Sequence, residues 1–393
     1  MKVLGIIAEY NPIHNGHIYH IKESKKVSMA DFVVVVMSGD FTQRGEAAIF
    51  DKWTRAKMAI NAGADLVLEM PFTYACNSAE YFAKGGIGIL NGLGAIESVS
   101  FGSESGKIDD LMKAADFFCY ETDEYRENLK KHLDQGYSFP KARSLAAKQF
   151  SHILDSPNNI LAIEYLKELK RLNSNIKPIT IKRVGGGYNS EQLHSEFSSA
   201  TAIRKSIING EYEEITDYIP NDVYDYLIER GKIASSDNIN HFNIIKSKLL
   251  LDIHNKDILK NVFGGGEGIE NIIYKNIRNI QTLEELVYTL KSKRYTQTRI
   301  NRFIIHSLVG FYKDNPMKLY TRVLALNSNG GKILKTIKKN DNIDLNIVDN
   351  VDKYNEEMLR YDIKASDFYN ISFGYDCYKN CDYVKKPFID KSY

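Results

Sequence analysis

The sequence of 393 residues lacks long apolar runs and is poor in cysteine. No stretch approaches the roughly 20 consecutive apolar residues that a membrane-spanning helix needs, which argues against an integral membrane protein. The four cysteines are scattered, and Cys377 and Cys381 form an isolated C-x3-C pair. Because a zinc site normally needs a second such pair, we interpret the cysteines as free thiols in a reducing compartment and predict no metal site.

A leader segment and a strong charge of one sign are also missing. The opening MKVLGIIAEYN passes directly into a strand and a polar turn, which is not the pattern of a signal peptide, so we expect a cytoplasmic protein. The 52 Lys and Arg nearly balance the 50 Asp and Glu, giving a net charge of +2. This balance excludes a generally basic nucleic-acid-binding protein and confines any RNA site to a local patch.

The N-terminal part instead alternates apolar runs with segments of helical pattern. Four continuous apolar runs have the length and composition of buried parallel strands, at 2–8, 32–37, 65–70 and 96–101. Helices are expected between them, at 15–28, 51–63 and 78–91. Such alternation requires right-handed crossovers, so we predict an α/β fold with a Rossmann-like, doubly wound parallel sheet.

The remainder of the chain has a different pattern. It is mostly helical over 107–172, followed by a strand at 178–184, a Gly triplet at 185–187 and a helix capped by Ser198 or Ser199. Later segments are acidic and Tyr-rich at 211–230, helical at 241–312 and 353–370, and contain two strands around a helix at 320–350. The change in composition predicts two domains, of residues 1–210 and 211–393, the second being largely helical α+β.

The turn His14-Asn15-Gly16-His17, between the first strand and the first helix, carries the strongest chemical signal. Ligands of parallel α/β sheets bind beyond the carboxyl ends of the strands, and helix N-termini offer unpaired N–H groups to phosphates. Gly16 permits close approach of a ligand to the backbone. His14 and His17 share one helix face and can donate hydrogen bonds to phosphate oxygens as charge develops. The alternative, polar residues that merely begin a helix, is disfavoured by this position in the sheet.

This turn resembles the H-x-G-H signature of the nucleotidylyltransferase superfamily. The second superfamily signature is a Ser/Thr-rich turn followed by Ile-Arg, and it is matched by SSATAIR at 198–204. The match departs from the pattern at Ala200, where a Ser or Thr is expected.

More narrowly, the sequence is similar to the family of bacterial tRNA(Met) cytidine acetate ligases. The similarity lies in blocks that follow one another in order, GIIAEYNPIHNGH (5–17), MSGDFTQRGE (37–46), FDKWTRAKMA (50–59), SFGSESG (100–106), SPNNILAIEYLK (156–167), KRVGGGYN (182–189) and SSATAIRK (198–205). The Glu-Tyr-Asn-Pro opening and the loop containing Asp40 are not general superfamily features, which makes the narrower resemblance specific.

The resemblance implies a two-step reaction with ATP as co-substrate, supplied as its Mg²⁺ complex. Acetate attacks the α-phosphorus of ATP, giving acetyl-adenylate and pyrophosphate. The exocyclic amine of the wobble cytidine of elongator tRNA(Met) then attacks the acetyl carbon, leaving N4-acetylcytidine and AMP. No protein partner is implied. Two alternatives stay open, an adenylyltransferase acting on a small phosphorylated metabolite and a non-catalytic RNA-binding protein.

The resemblance also implies roles for individual residues. His14 and His17 would be catalytic, holding the triphosphate, and Asp40, which shares its loop with Arg44, would bind or deprotonate the cytidine amine. The alternative for Asp40 is a carboxylate that organises its loop. The implied ATP-binding set consists of these two histidines with Ile7, Ala8, Glu9, Tyr10, Asn11, Pro12, Asn15, Gly16, His20, Gly102, Asn159, Arg183, Ser198, Ser199, Thr201 and Arg204. For Gly102, Asn159 and Arg183 the alternatives are a strand end, a helix cap and a solvated cation.

A local basic patch lies at 291–302, with five basic residues, one aromatic residue and no acid. On a helix, Arg299 and Arg302 would lie one turn apart and contact adjacent phosphates. A solvated surface is the alternative interpretation. Beside the resemblance, the patch predicts that Arg294, Arg299 and Arg302 bind RNA, with Lys52 and Arg55 as lesser candidates. The first domain would then be catalytic and the second would bind tRNA.

Overall fold

The computed structural model is organised around an eight-stranded sheet and describes residues 1–183, 197–230, 232–340, 343–375 and 381–391. The strands are β1 (Val3–Ala8), β2 (Phe32–Ser38), β3 (Leu66–Met70), β4 (Ser98–Ser103), β5 (Lys177–Lys182), β6 (Tyr320–Leu326), β7 (Asn346–Val348) and β8 (Phe388–Ile389). Their order is β5-β4-β1-β2-β3-β6-β7, and β8 pairs with β6. Strands β1 to β5 pair in parallel, which confirms the predicted α/β fold with a doubly wound sheet.

Helices cover both faces of the sheet and form the C-terminal layer. They are α1 (Asn15–Ser28), α2 (Lys52–Asn61), α3 (Phe72–Ala75), α4 (Ala79–Gly92), α5 (Ile108–Cys119), α6 (Asp123–Asp134), α7 (Phe139–Ala146), α8 (Ser151–Leu154), α9 (Pro157–Arg171), α10 (Ala200–Asn209), α11 (Asn221–Arg230), α12 (Ile239–Asp252), α13 (Lys256–Asn261), α14 (Ile269–Asn276), α15 (Leu283–Leu290), α16 (Gln297–Val309), α17 (Ser328–Ile337), α18 (Glu356–Phe373) and α19 (Cys381–Val384). Short 3-10 helices occur at Lys148–Phe150 and Tyr212–Ile215. No helix of the described ranges is long and apolar enough to cross a membrane.

Strand β2 shows why the sheet forms from continuous apolar runs. Its side chains alternate between the two faces, so that Val34 and Val36 join one hydrophobic core while Val33 and Val35 join the other. All four are fully buried. A strand covered on both faces needs apolar residues at every position, which is the pattern that predicted it.

The segment beyond residue 210 contributes to the sheet as well as to a helical layer. Strand β6 pairs antiparallel with β3, and β7 and β8 pair in parallel with β6. Helices α12, α16 and α18 surround a third hydrophobic core. The sheet therefore extends across the predicted boundary near residue 210, and the assignment of separate catalytic and RNA-binding domains stays a prediction.

Side-chain caps mark the starts of α2 and α10. Asp51 caps α2 as predicted, since its carboxylate accepts from the N–H groups of Trp53 and Thr54. Ser199, one of two candidates, caps α10 by accepting from the N–H of Ala202 at 3.0 Å. The Gly triplet at 185–187 and Cys377 lie outside the described residues.

Candidate active site

A cleft of about 240 Å³ opens at the carboxyl ends of β1, β4 and β5, between the first turns of α1 and α10. This is the position expected for a ligand of a parallel sheet. Most of the predicted ATP-binding residues line it, namely Ile7, Ala8, Glu9, Tyr10, Asn11, His14, Gly16, His17, His20, Gly102, Arg183, Ser198, Ser199, Thr201 and Arg204.

His14 and His17 are locked into a capping box at the start of α1. Nδ1 of His14 accepts from the N–H of Gly16 at 3.1 Å, and Nδ1 of His17 accepts from the N–H of His14 at 3.3 Å. The two rings lie 3.8 Å apart between centroids. Because each Nδ1 is an acceptor, the proton of each neutral imidazole resides on Nε2, which can donate to a ligand.

Both of these histidines are neutral at physiological pH. Burial lowers the pKa of His14 to about 3, helped by the charges of Arg183 and Arg204. Burial and the neighbouring His14 hold the pKa of His17 well below its usual value. The site therefore offers imidazole N–H dipoles rather than imidazolium charges to a phosphate.

The second predicted turn faces the first across the cleft. Arg204, on the first turns of α10, donates from Nη1 to the carbonyl oxygen of Asn11 at 2.7 Å, which ties the two turns together. Ser198 is buried, and within the described residues its Oγ has no hydrogen-bond partner. A buried hydroxyl at a helix N-terminus that lines a cleft is suited to an anionic ligand.

The floor of the cleft is built around Gly102 and Arg183. A Cβ at Gly102 would lie 3.4 Å from Cγ of Arg183, an ordinary van der Waals distance, so the two residues adjoin each other there. Arg183 extends toward Asn158, whose Oδ1 lies 3.5 Å from Nη1, and toward Glu104 at 3.9 Å. His20 completes this side through a 3.2 Å contact between Nε2 and the Oγ of Ser100.

Three residues of the predicted ATP-binding set do not line the cleft. Asn15 donates from Nδ2 to the carbonyl oxygen of Asp217, and Pro12 forms part of the turn behind His14. Asn159 is buried and accepts from the N–H of Glu104 at 3.3 Å, so its side chain holds the loop after β4 and does not cap its own helix, and its contact with ATP stays a prediction. Its neighbour Asn158 lines the cleft instead. The sequence marked the right helix start but could not indicate which of the two side chains lines the cleft.

The structure does not place Asp40 on the wall of the cleft, as its predicted contact with the cytidine amine would require. Its carboxylate is buried, accepting from the N–H of Lys52 at 2.8 Å and from the Oγ of Ser366 at 2.6 Å. Ser366 belongs to α18. Asp40 is therefore a loop-organising carboxylate, which was the alternative interpretation, and the residues of its loop that line the cleft are Thr42, Gln43, Arg44 and Glu46.

Lys52 and Arg55 are also buried, which contradicts their prediction as RNA contacts. Lys52 pairs with Glu69 and Asp382 at 2.9 Å each. Arg55 donates to four backbone carbonyl oxygens. They lie at the ends of β1 and β2 and before α2, and belong to Glu9 at 2.5 Å, Ser38 at 3.2 Å, Phe50 at 3.0 Å and Gly39. The sequence did not reveal this role, because Arg55 belongs to no recognisable motif and its partners are backbone carbonyl oxygens of the loops around the cleft.

A second cavity, of about 820 Å³, adjoins the first. Gln43, Arg44 and Leu161 line both cavities. The basic residues on its wall outnumber the acidic ones. The basic residues are Arg44, Arg126, Arg143, Lys167, Arg171, Arg294, Arg299 and Arg302, and the acidic residues are Glu80, Glu121 and Glu164. The structure thus places the three arginines predicted to bind RNA on a basic surface that reaches the edge of the first cleft.

The described part of the chain contains no group of three or more His, Cys, Asp or Glu side chains able to hold a metal ion. Of the isolated cysteine pair, Cys381 is buried in α19, and Cys377 is outside the described ranges.

Comparison with known proteins gives concordant results over the full length. The sequence model of the HIGH Nucleotidyl Transferase family matches residues 1–382. The tRNA(Met) cytidine acetate ligase of Clostridium perfringens is 42% identical over 410 residues, covering 99% of this chain and 100% of the relative. The ligase of Caldicellulosiruptor saccharolyticus is 45% identical over 404 residues, covering 98% of each.

Two crystal structures of Thermotoga maritima TmcAL have the same fold. The apo form superposes with a TM-score of 0.90 and the form bound with alpha-thio ATP with a TM-score of 0.88. Both are 32% identical in sequence, and each alignment covers 100% of both chains.

Proposed function

The chain belongs to the HIGH nucleotidyl transferase family and, within it, to the tRNA(Met) cytidine acetate ligases, and we propose that it uses ATP and acetate to acetylate a tRNA cytidine. One observation carries the proposal, the meeting of the two phosphate-binding turns at one cleft, where Arg204 bonds to Asn11. In its finer form, the proposal takes free acetate as the acyl source and N4 of the wobble cytidine of elongator tRNA(Met) as the acceptor.

In the first step, ATP lies with its phosphates between the N-termini of α1 and α10. The Nε2–H groups of His14 and His17, the hydroxyl of Ser198 and the first N–H groups of both helices donate to the phosphate oxygens. Any Mg²⁺ arrives with ATP as part of the substrate. A carboxylate oxygen of acetate attacks the α-phosphorus, the bond to the bridging oxygen breaks, and pyrophosphate leaves.

The second step needs no covalent enzyme intermediate, because acetyl-adenylate is already an activated acyl donor. The amine of cytidine attacks the acetyl carbon, and AMP departs with the electrons of the broken C–O bond. The protein contributes by holding the anhydride and the amine in reacting geometry and by excluding water. Neutral histidines suit both steps. They donate hydrogen bonds to the phosphates but carry no positive charge that would slow the release of pyrophosphate or AMP.

The tRNA is proposed to lie along the second cavity, with Arg294, Arg299 and Arg302 contacting its phosphates. Support comes from the position of these side chains on a basic surface that shares Gln43 and Arg44 with the ATP cleft. A base turned out of the anticodon loop would enter the cleft over that shared border. Residues from both predicted domains line this cavity, so tRNA would contact both.

The test is an incubation with ATP, labelled acetate and either elongator or initiator tRNA(Met). We expect label in the elongator tRNA as N4-acetylcytidine, with one AMP and one pyrophosphate per acetyl group. Omitting ATP should abolish the labelling. ATP consumption that joins AMP to a small phosphate ester, without labelled RNA, would instead identify an adenylyltransferase, and tRNA binding without ATP consumption would identify a non-catalytic binding protein.

A further inference from the structure

Attack by the cytidine amine releases a proton, and the structure restricts which residue can take it. Asp40 is buried beneath its loop and hydrogen-bonded to Lys52 and Ser366. His14 and His17 carry their protons on the nitrogens left for the ligand, so neither can accept another there without becoming a buried cation. Among the described residues that line the cleft, the remaining carboxylates are Glu9 and Glu46.

Glu9 lines the ATP cleft and is hydrogen-bonded to a residue that lines both cavities. It follows the last residue of β1, and its Oε1 accepts from the N–H of Gln43 at 2.7 Å. Gln43 lines both the ATP cleft and the basic cavity. The carboxylate is thus one hydrogen bond away from a residue at the border over which the cytidine is proposed to enter the cleft.

The backbone of Glu9 is fixed by a hydrogen bond from a buried arginine. The carbonyl oxygen of Glu9 accepts from Nη1 of Arg55 at 2.5 Å, and that same arginine holds the carbonyl oxygens of Ser38 and Gly39 at the end of β2. The side chain therefore starts from a fixed point, which a base needs if it is to meet a proton in reacting geometry.

We propose that Glu9 is the general base of the acetyl-transfer step, a role that rests on the function proposed above. The lone pair of the cytidine amine forms a bond to the acetyl carbon, an N–H proton passes to the Glu9 carboxylate, and the bond from the acetyl carbon to the phosphate oxygen breaks. AMP leaves with that electron pair, and Glu9 later releases the proton to water.

The surroundings of Glu9 favour this role. Burial raises the pKa of the carboxyl group above its usual value, against the lowering by the Gln43 N–H and by the charges of Arg204 and Arg44, while Glu46 adds to the rise. A raised pKa makes the carboxylate a stronger base, which matches the requirement for proton removal.

The test compares Glu9→Gln with the matched variant Glu46→Gln in two separate assays of the full-length protein. One is acetate-dependent exchange of labelled pyrophosphate into ATP without RNA, which reports adenylation. The other is single-turnover transfer of acetyl from preformed acetyl-adenylate to elongator tRNA(Met). A glutamine at position 9 can still accept from the Gln43 N–H, so the local structure is retained, and thermal unfolding of each variant checks this.

We expect Glu9→Gln to slow acetyl transfer at least about 100-fold more than it slows exchange, the usual contribution of a positioned base. Glu46→Gln should change the two rates in equal proportion. Equal losses in both assays for Glu9→Gln, or transfer at the wild-type rate, would overturn the proposal, and so would a selective loss of transfer in Glu46→Gln. Failure of the proposed function is distinguishable, because the wild-type protein would then leave the tRNA unlabelled.

Discussion

Arg302 of α16 donates a hydrogen bond from Nη1 to the carbonyl oxygen of Gln43 at 3.2 Å, across 259 positions of the chain. The N–H of Gln43 is bound to Glu9. Gln43, in the loop after β2, is therefore bonded to α16 through its carbonyl oxygen and to Glu9 of the cleft through its N–H. If Arg302 contacts RNA as proposed and leaves Gln43, we expect the support of that loop to change.

The close contact between this loop and α16 predicts a large effect of Gly45→Ala. Gly45 has φ +74°, and a Cβ there would lie 2.3 Å from the backbone nitrogen of Arg302. The variant should lose about 1–2 kcal/mol from the left-handed backbone and further stability from overpacking. Gly136→Ala is the matched control, since Gly136 has φ +84° and no atom within 4 Å of its Cβ position. Denaturant unfolding should show a clearly larger loss for Gly45→Ala, and similar losses would mean that the loop can move away from α16.

Removing either histidine of the first turn should affect adenylation specifically. We expect His17→Ala to lower acetate-dependent pyrophosphate exchange by about 10²–10³-fold, because a donor to the developing phosphate charge is lost. His14→Ala should do the same and also lose about 1 kcal/mol of stability with the helix cap, whereas His14→Asn should recover the cap but not the activity. His132→Ala, on exposed α6, is the control. Exchange at the wild-type rate in His17→Ala would remove the proposed phosphate role.

The proposed RNA contacts predict a change in salt dependence. Arg294→Gln and Arg299→Gln should each weaken tRNA binding and reduce the slope of log affinity against log salt by about 1. Adenylation without RNA should be retained. Lys335→Gln, which removes an exposed cation on α17, should leave the slope unchanged. Binding titrations at several salt concentrations measure this, and wild-type slopes in both arginine variants would place the tRNA elsewhere.

Asp362, buried on α18, predicts a pH dependence of stability. It accepts from the N–H of Phe72 at 2.6 Å and from the hydroxyl of Tyr320, and burial together with the charge of Glu69 raises its pKa to about 7 from 3.8. Between these values the folded protein binds a proton that the unfolded chain has released, so the free energy of unfolding falls as pH rises.

Asp362→Asn should remove that dependence. Its amide oxygen can accept from Phe72 and its amide can donate to the Tyr320 oxygen. Relative to this variant, the wild-type protein should lose about 2 kcal/mol of stability between about pH 5 and pH 7, at 1.4 kcal/mol per pKa unit. Denaturant unfolding at the two pH values gives the comparison, and parallel changes in the two proteins would show that Asp362 ionises normally.

Much of the fold could be predicted from the sequence because its determinants are local. An apolar run such as Phe32–Ser38 specifies a strand buried on both faces, and a polar turn directly after β1 places His14 at a helix start. The antiparallel pairing of β6 with β3 could not be predicted, because register between distant strands depends on the assembled sheet.

The errors concerning charged residues have the same origin. Asp40 and Lys52 looked like cleft or surface groups, but their partners Ser366 and Asp382 lie 326 and 330 positions away. A buried charge is acceptable only when a partner is brought to it, and the sequence near the charge does not reveal that partner. The two turns that line the cleft could be located from the sequence, by contrast, since each is defined by a few consecutive residues.

The pairing of β3 with β6 has a consequence for biosynthesis. Thr321 of β6 donates from Oγ1 to the carbonyl oxygen of Glu69 in β3, 252 positions earlier. At a bacterial elongation rate of about 5–20 residues per second, the edge of β3 leaves the ribosome roughly 12–50 seconds before the strand that covers it. During that interval the nascent chain carries an open strand edge of buried, apolar character, which is the kind of surface that recruits chaperones or other chains. The central sheet of this enzyme is thus completed only after β6 has been synthesised, long after the first turn that borders the cleft.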